Sequence, residues 1–198
     1  MAAHWLASLE WTAAIITALS VYLAARENIW NWPTAIVSVV MYTIVYLHAG
    51  LYSDAGLQVF YLGMSVYGWY EWLYGGAGHT ELHVSRATAR VWAWCLVIGL
   101  VFWGLDGSVM ARLNGVAFPF IDAGTTTVSL IAQWMMTRKL LENWILWIAV
   151  NVVYVPVLLL KHLYPTAILY SVLLLLAIKG LVDWRASYVI RRAELAPA

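Results

Sequence analysis

Trp144, Trp147, Asn151 and Tyr154 follow one another at intervals of 3, 4 and 3. On a helix these intervals set two indoles, a carboxamide and a phenol on one face. An indole face stacks on a flat heteroaromatic ring and attracts it further when the ring is cationic. A carboxamide offers paired donors and acceptors, suited to an amide or to sugar hydroxyls. Two other stretches carry similar stripes. Thr126, Ser129, Gln133 and Thr137 are spaced 3, 4 and 4, and Gln58, Tyr61 and Ser65 lead on to Tyr67 or Trp69. No cluster of basic residues accompanies them to hold a phosphate. The chemistry is that of a site for a flat, unphosphorylated heteroaromatic molecule.

These side chains must be positioned by a very apolar chain. Of 198 residues, 64% are hydrophobic and only 11% charged, and the mean hydropathy is +0.78. A soluble domain carries about a quarter charged residues, so the composition specifies an integral membrane protein. The net charge of +1 gives no surface for nucleic acid, and Cys95 is the only cysteine, so no intramolecular disulfide exists. Crossing the hydrocarbon core takes about 20 residues. Seven segments qualify, near 7–25, 32–48, 56–74, 87–105, 120–137, 144–160 and 164–183. The longest connection, Gly75 to Arg86, reads GGAGHTELHVSR. Cytoplasmic loops collect Lys and Arg. Nine of the eleven basic residues fall on one side (Arg26, Arg86, Arg90, Arg138, Lys139, Lys179, Arg185, Arg191 and Arg192), against Arg112 and Lys161 on the other. The N-terminus is therefore expected outside and the C-terminus in the cytoplasm.

The chain also repeats itself. Fifteen of the 47 positions from 26 to 72 recur 112 residues later without a gap. Among them are Arg26/Arg138, Asn31/Asn143, Trp32/Trp144, Tyr42/Tyr154, Gly68/Gly180 and Trp72/Trp184. Spans 1–3 (residues 1–75) and 5–7 (113–185) are read as equivalent units, joined by a loop and a fourth span (76–112) and followed by a cytoplasmic tail (186–198). Three spans would invert the second unit, and the fourth restores its direction, giving a 3+1+3 parallel repeat. Parallel repeats place a substrate near the midplane between the units, as in SWEET-type transporters. A non-transporting seven-helix receptor is the reading from another class, and the duplication argues against it.

The offset sorts the polar residues. Trp147 and Asn151 are matched by Ala35 and Val39, Gln133 by Val21 and Gln58 by Tyr170. Residues present in one unit only are assigned to a site for an asymmetric ligand. Tyr61, Tyr154, Tyr42 and Thr126 complete the candidate set. The tryptophans common to both units, Trp32, Trp144, Trp72 and Trp184, are read as anchors at the membrane interface. Ser and Thr are assigned to hydrogen bonds between helices, worth roughly 0.6 kcal/mol each. Glu10, Glu27, Asp54, Glu71, Asp106, Asp122, Glu142 and Asp183 fall at span ends, so no ionisable relay crosses the membrane, which favours facilitated diffusion over ion coupling. Pro156 removes a backbone hydrogen bond in span 6 and is expected to bend it beyond Asn151. The histidines His48, His79, His83 and His162 lie in loops or at ends and suggest no metal. No GxSxG, HExxH or phosphate-binding loop is present, so neither an enzyme nor a cofactor is expected.

The segments WPTAIVSVVMY (32–42), LYSDAGLQVFYLGMSVYGWYEW (51–72), AQWMMTRKLLENWILWIAVN (132–151) and the closing GLVDW resemble the PnuC family of bacterial B-vitamin transporters over nearly the whole chain. The resemblance implies an all-α, SWEET-like but full-length fold and a homotrimer in the bacterial inner membrane. It also implies movement of a vitamin down its gradient, with an intracellular kinase trapping the cargo. The pair Trp147 and Asn151 resembles the nicotinamide riboside branch, whereas a second tryptophan at the later position would resemble the thiamine branch. Thiamine, riboflavin or another vitamin remains the alternative cargo. On this reading Asn151→Ala weakens substrate binding far more than Val39→Ala does. Equal losses in a titration of the two variants would remove the asymmetric-site argument.

Overall fold

In a computed structural model, which describes residues 2–112, 119–160, 162 and 164–194, the described chain forms seven helices. They are α1 (Ala2–Ala25), α2 (Asn31–His48), α3 (Tyr52–Tyr74), α4 (Ala89–Met110), α5 (Pro119–Thr137), α6 (Asn143–Leu160) and α7 (Tyr164–Glu194). Each expected span finds its helix. The differences are at the ends: α1, α3 and α4 are longer than read, and α7 runs on past residue 183 to Glu194. Hydropathy finds only the apolar part of a helix, whereas backbone hydrogen bonding continues into polar sequence. α6 passes through Pro156 as one helix. Four helices, α1, α4, α6 and α7, are long and apolar enough to cross a membrane by composition alone. The outer faces carry Ile15, Trp94, Leu96, Leu105, Leu160, Ile168 and Leu175 exposed. That is far more apolar surface than a protein in water leaves uncovered.

Neighbours in sequence pack side by side: α1 on α2, α2 on α3, α5 on α6 and α6 on α7. The two groups of three then meet twice, through α1 on α7 and α3 on α5, while α4 packs on α5 from outside. The end of the bundle where α1, α3, α5 and α7 finish is the polar one. It holds all four ion pairs among the described residues: Arg86–Glu142, Arg138–Glu71, Lys139–Glu27 and Lys179–Asp183. There the α3–α4 connection crosses the bundle as a strap. Ser85 N–H donates to the Lys139 carbonyl at 3.0 Å, and Leu141 N–H donates to the Ser85 carbonyl at 2.9 Å. Glu142 fastens the strap further by accepting from Arg86 Nε and from the Ala87 amide.

At this same end lies the largest departure from the sequence reading. Trp32, Trp72, Trp144 and Trp184 are not interfacial anchors: they are 1%, 3%, 1% and 0% exposed. They form one cluster. Trp32 meets Trp72 edge-on with centroids 5.3 Å apart, Trp144 meets Trp184 in the same way at 5.4 Å, and Trp72 touches Trp184 at 5.8 Å. Composition and depth cannot tell a ring facing lipid from one rotated inward. What turns these rings inward is a pair of glycines. A Cβ built on Gly68 would collide with the Trp32 ring, and one on Gly180 with the Trp144 ring. Only a residue without a side chain lets an indole lie against that helix.

The buried indoles must also place their N–H groups. Trp72 Nε1 donates to the Met136 carbonyl and Trp184 Nε1 to the Ala24 carbonyl, both at 3.0 Å. Those carbonyls belong to the last turns of α5 and α1, where helix carbonyls lack intrahelical partners. The two bonds are the same bond with every residue shifted by 112. Gly68→Ala and Gly180→Ala should each destabilise the purified protein by about 1–3 kcal/mol through overpacking, seen as a lower thermal midpoint in detergent. Gly63→Ala, where nothing lies within 4 Å of the new Cβ, should leave the midpoint in place.

Candidate functional site

The six helices other than α4 enclose a cavity of about 720 Å³. Each contributes a face at helical spacing; on α2, for example, Asn31, Ala35, Ser38, Tyr42 and Tyr46 line it. Trp147, Asn151, Gln133, Gln58, Tyr61, Tyr154, Tyr42 and Thr126, the whole predicted set, line this one cavity. The cavity is a blind well. Exposed Glu10, Trp11 and Asp54 stand at its mouth, and buried Trp32, Trp144, Ala24 and Ala177 stand at its floor.

The three predicted stripes meet the cavity unequally. Trp144, Trp147, Asn151 and Tyr154 all reach it, as do Thr126, Ser129 and Gln133. Thr137 does not: it is fully buried and donates to the Trp134 carbonyl. The α3 stripe stops at Ser65. Trp69 is exposed, and Tyr67 turns to the polar end, where its hydroxyl accepts from Arg138 Nη1 at 3.1 Å. The expectation that Ser and Thr tie helices together holds in part: Ser129 reaches Tyr61 of α3 and Thr125 reaches Tyr154 of α6. Ser65, Thr125, Thr127, Ser129 and Ser171 all donate to carbonyls within their own helices. Such back-bonding satisfies a hydroxyl without any neighbour. The Thr17–Ser38 pair does bridge α1 and α2, and Ser38 also donates to the Ala13 carbonyl.

The carboxamides behave differently. Asn151 donates from Nδ2 to the Trp147 carbonyl at 2.7 Å. That bond lies within α6, so the residue is not glue between helices, and its side-chain oxygen is left as an acceptor. Among the described residues the side chains of Gln58 and Gln133 make no hydrogen bond, and they reach the cavity from α3 and α5. In an interior where polar groups are normally paired, three carboxamide groups retain capacity for a guest. Trp147 sits one turn from Asn151 on the same wall.

The only charged lining residues are two acids, Glu10 and Asp54; no Lys or Arg among the described residues lines the cavity. The helical run of α1 begins at Ala2, which places Glu10 inside the helix with its side chain toward the mouth, rather than at a span end. Sequence reasoning missed Tyr46, Tyr170 and the inward turn of Trp32 and Trp144. Tyr46 had a signal, one turn beyond Tyr42, and the two rings stack at 5.7 Å. Tyr170 stacks on Tyr154 at 5.2 Å.

A seven-helix membrane bundle around a blind, aromatic, carboxamide-lined well has the form of a small-molecule transporter. A family model described as Nicotinamide mononucleotide transporter matches residues 7–186, and the chain belongs to that family. It is 32% identical over 204 residues to the nicotinamide riboside transporter PnuC of Escherichia coli (strain K12), covering 89% of this chain and 85% of that protein. It is 24% identical over 177 residues to the riboflavin/roseoflavin transporter RibM of Streptomyces davaonensis, covering 86% and 81%. The crystal structure of the vitamin B3 transporter PnuC superposes with a TM-score of 0.70 at 26% identity, over 92% of this chain and 81% of that one. The relatives are transporters rather than enzymes.

Proposed function

We propose that the protein carries nicotinamide riboside across the bacterial inner membrane by facilitated diffusion. The observation that supports this cargo best is the charge of the well. Its charged lining is acidic, with no basic residue among the described ones to meet a phosphate. The riboside is a flat pyridinium cation with neutral hydroxyls, and it suits Trp147 together with the carboxamides. The pyridinium stacks on Trp147, the riboside's amide N–H or ribose hydroxyls donate to Asn151, and Gln58 and Gln133 meet the remaining polar edge. Tyr61, Tyr154, Tyr42 and Thr126 complete the wall. The phosphorylated mononucleotide would bring an anion into an acidic well.

The 3+1+3 parallel repeat, with units 1–75 and 113–185 linked through 76–112 in a SWEET-like arrangement, is supported by interactions related by the 112-residue offset. These are the Trp72 and Trp184 bonds, the two edge-on tryptophan pairs and the Gly68 and Gly180 contacts. With the basic end cytoplasmic, the N-terminus outside and the segment 186–198 inside, the well faces outward. The homotrimer and the trapping kinase are carried by the family resemblance alone. Riboflavin is kept as a second cargo because of the likeness to RibM.

Proteoliposomes test the reading. Labelled riboside should enter without a proton or sodium gradient, and excess riboside should compete better than thiamine, riboflavin or the mononucleotide. Strict dependence on an ion gradient, or preferential competition by riboflavin, would sink it. Trp147→Ala should weaken riboside binding about tenfold or more, as expected for losing a desolvated cation–π contact, and Trp147→Phe should recover part of the loss.

A further inference from the structure

The hydrogen bonds made by the floor of the well join the two groups of three helices. Trp72 on α3 bonds to α5, and Trp184 on α7 bonds to α1. Beneath them, Lys139 Nζ lies 3.1 Å from Glu27 Oε2 and 4.5 Å from the centroid of the Trp72 ring. Glu27 and Lys139 are themselves 112 residues apart. Each follows the last turn of its helix with a positive φ, 52° and 47°. Asn28 N–H reaches back to the Leu23 carbonyl, and Leu140 N–H to the Met135 carbonyl, the pattern of helix ends that normally take glycine. A glutamate and a lysine accept that strained backbone here, and the conformation brings their side chains together across the junction.

Trp32 and Trp144 are unlike their two neighbours. Their Nε1 atoms are buried and have no partner among the described residues, although both residues line the well. An unpaired buried donor is unfavourable, so these rings lose no hydrogen bond by moving.

We infer that the tryptophan floor is the inner gate, with Trp32 and Trp144 as the rings that move aside. Trp72, Trp184 and the Glu27–Lys139 pair are the latch that holds it shut while the mouth is open. The inference rests on the transport reading above. Passage of cargo requires the two helix groups to part at this end, and parting them breaks the two indole bonds and the ion pair together. Each latch contact therefore biases the equilibrium against opening.

The test reads gate opening without cargo. In a Cys95→Ser background, Ala177→Cys places a thiol at the floor, and a membrane-impermeant maleimide is applied from the Arg191 side of sealed vesicles. Labelling should be slow with the latch intact. Trp72→Phe and Trp184→Phe, which keep an aromatic ring but remove the N–H together with part of the indole, should each accelerate it at least about fivefold, the factor expected for one net hydrogen bond. Lys139→Glu should accelerate it further, and the exchanged pair E27K/K139E should restore slow labelling. Rates unchanged in both phenylalanine variants, or no rescue by the exchange, overturn the latch. If the charge variants do not fold, the phenylalanine pair decides alone. Absence of riboside uptake by the parent protein in proteoliposomes refutes the transport reading separately, since labelling needs no cargo.

Discussion

The close packing of an indole against a glycine is the contact on which this molecule is organised. Gly68 receives Trp32 and Gly180 receives Trp144. Because a ring lies where a side chain would stand, α2 approaches α3, and α6 approaches α7, at the base of the well. The rings carried in this way meet Trp72 and Trp184, and those two reach across to buried carbonyls in the last turns of α5 and α1. One small-residue contact thus fixes helix spacing, floor and inter-group bonding at once. Tight packing explains why little can be altered locally, since protein interiors transmit a change of even one methylene.

Above that floor the regularity survives in Tyr42 and Tyr154 but breaks at other wall positions. The wall at Trp147 and Asn151 faces positions occupied by Ala35 and Val39 on the other side. The tryptophan floor supplies shape, and the side chains without a counterpart at the 112-residue offset are the ones proposed for recognition. Many hydroxyls bond to carbonyls of their own helices, and the carboxamides keep free hydrogen-bonding capacity. A well built in this manner can change its guest through a few wall residues while keeping its floor. The similarity of one scaffold to proteins named for nicotinamide riboside and for riboflavin is consistent with that separation.

Much of this was legible in the sequence, for definite reasons. Helical periodicity brought all eight candidate residues to one cavity, because a polar face in an apolar chain has few places to turn. The offset of 112 picked out Trp32, Trp144, Trp72 and Trp184 as structural residues, and all four are buried and packed together. It failed on where they sit. Interfacial tryptophans and inward-turned ones occur at the same depth of a span, and only the opposing glycines distinguish them. Those glycines were visible as a matched pair, but their contact is a matter of three dimensions. The intrahelical bonds of Ser and Thr were likewise illegible, because a hydroxyl that binds its own helix and one that binds a neighbour leave the same mark in sequence. Glu10 was placed at a span end because hydropathy does not register the helical turns that precede it.

Glu27 and Lys139 occupy the same place in the two halves and touch each other. A residue so placed would, in an assembly of two identical halves, meet its own copy. Two first halves would press carboxylate on carboxylate beside the Trp72 ring, and two second halves would press ammonium on ammonium. Either pairing buries like charges at short range, which disfavours it strongly. The opposite signs therefore favour the joining of one three-helix group to the other over the pairing of either group with its own copy.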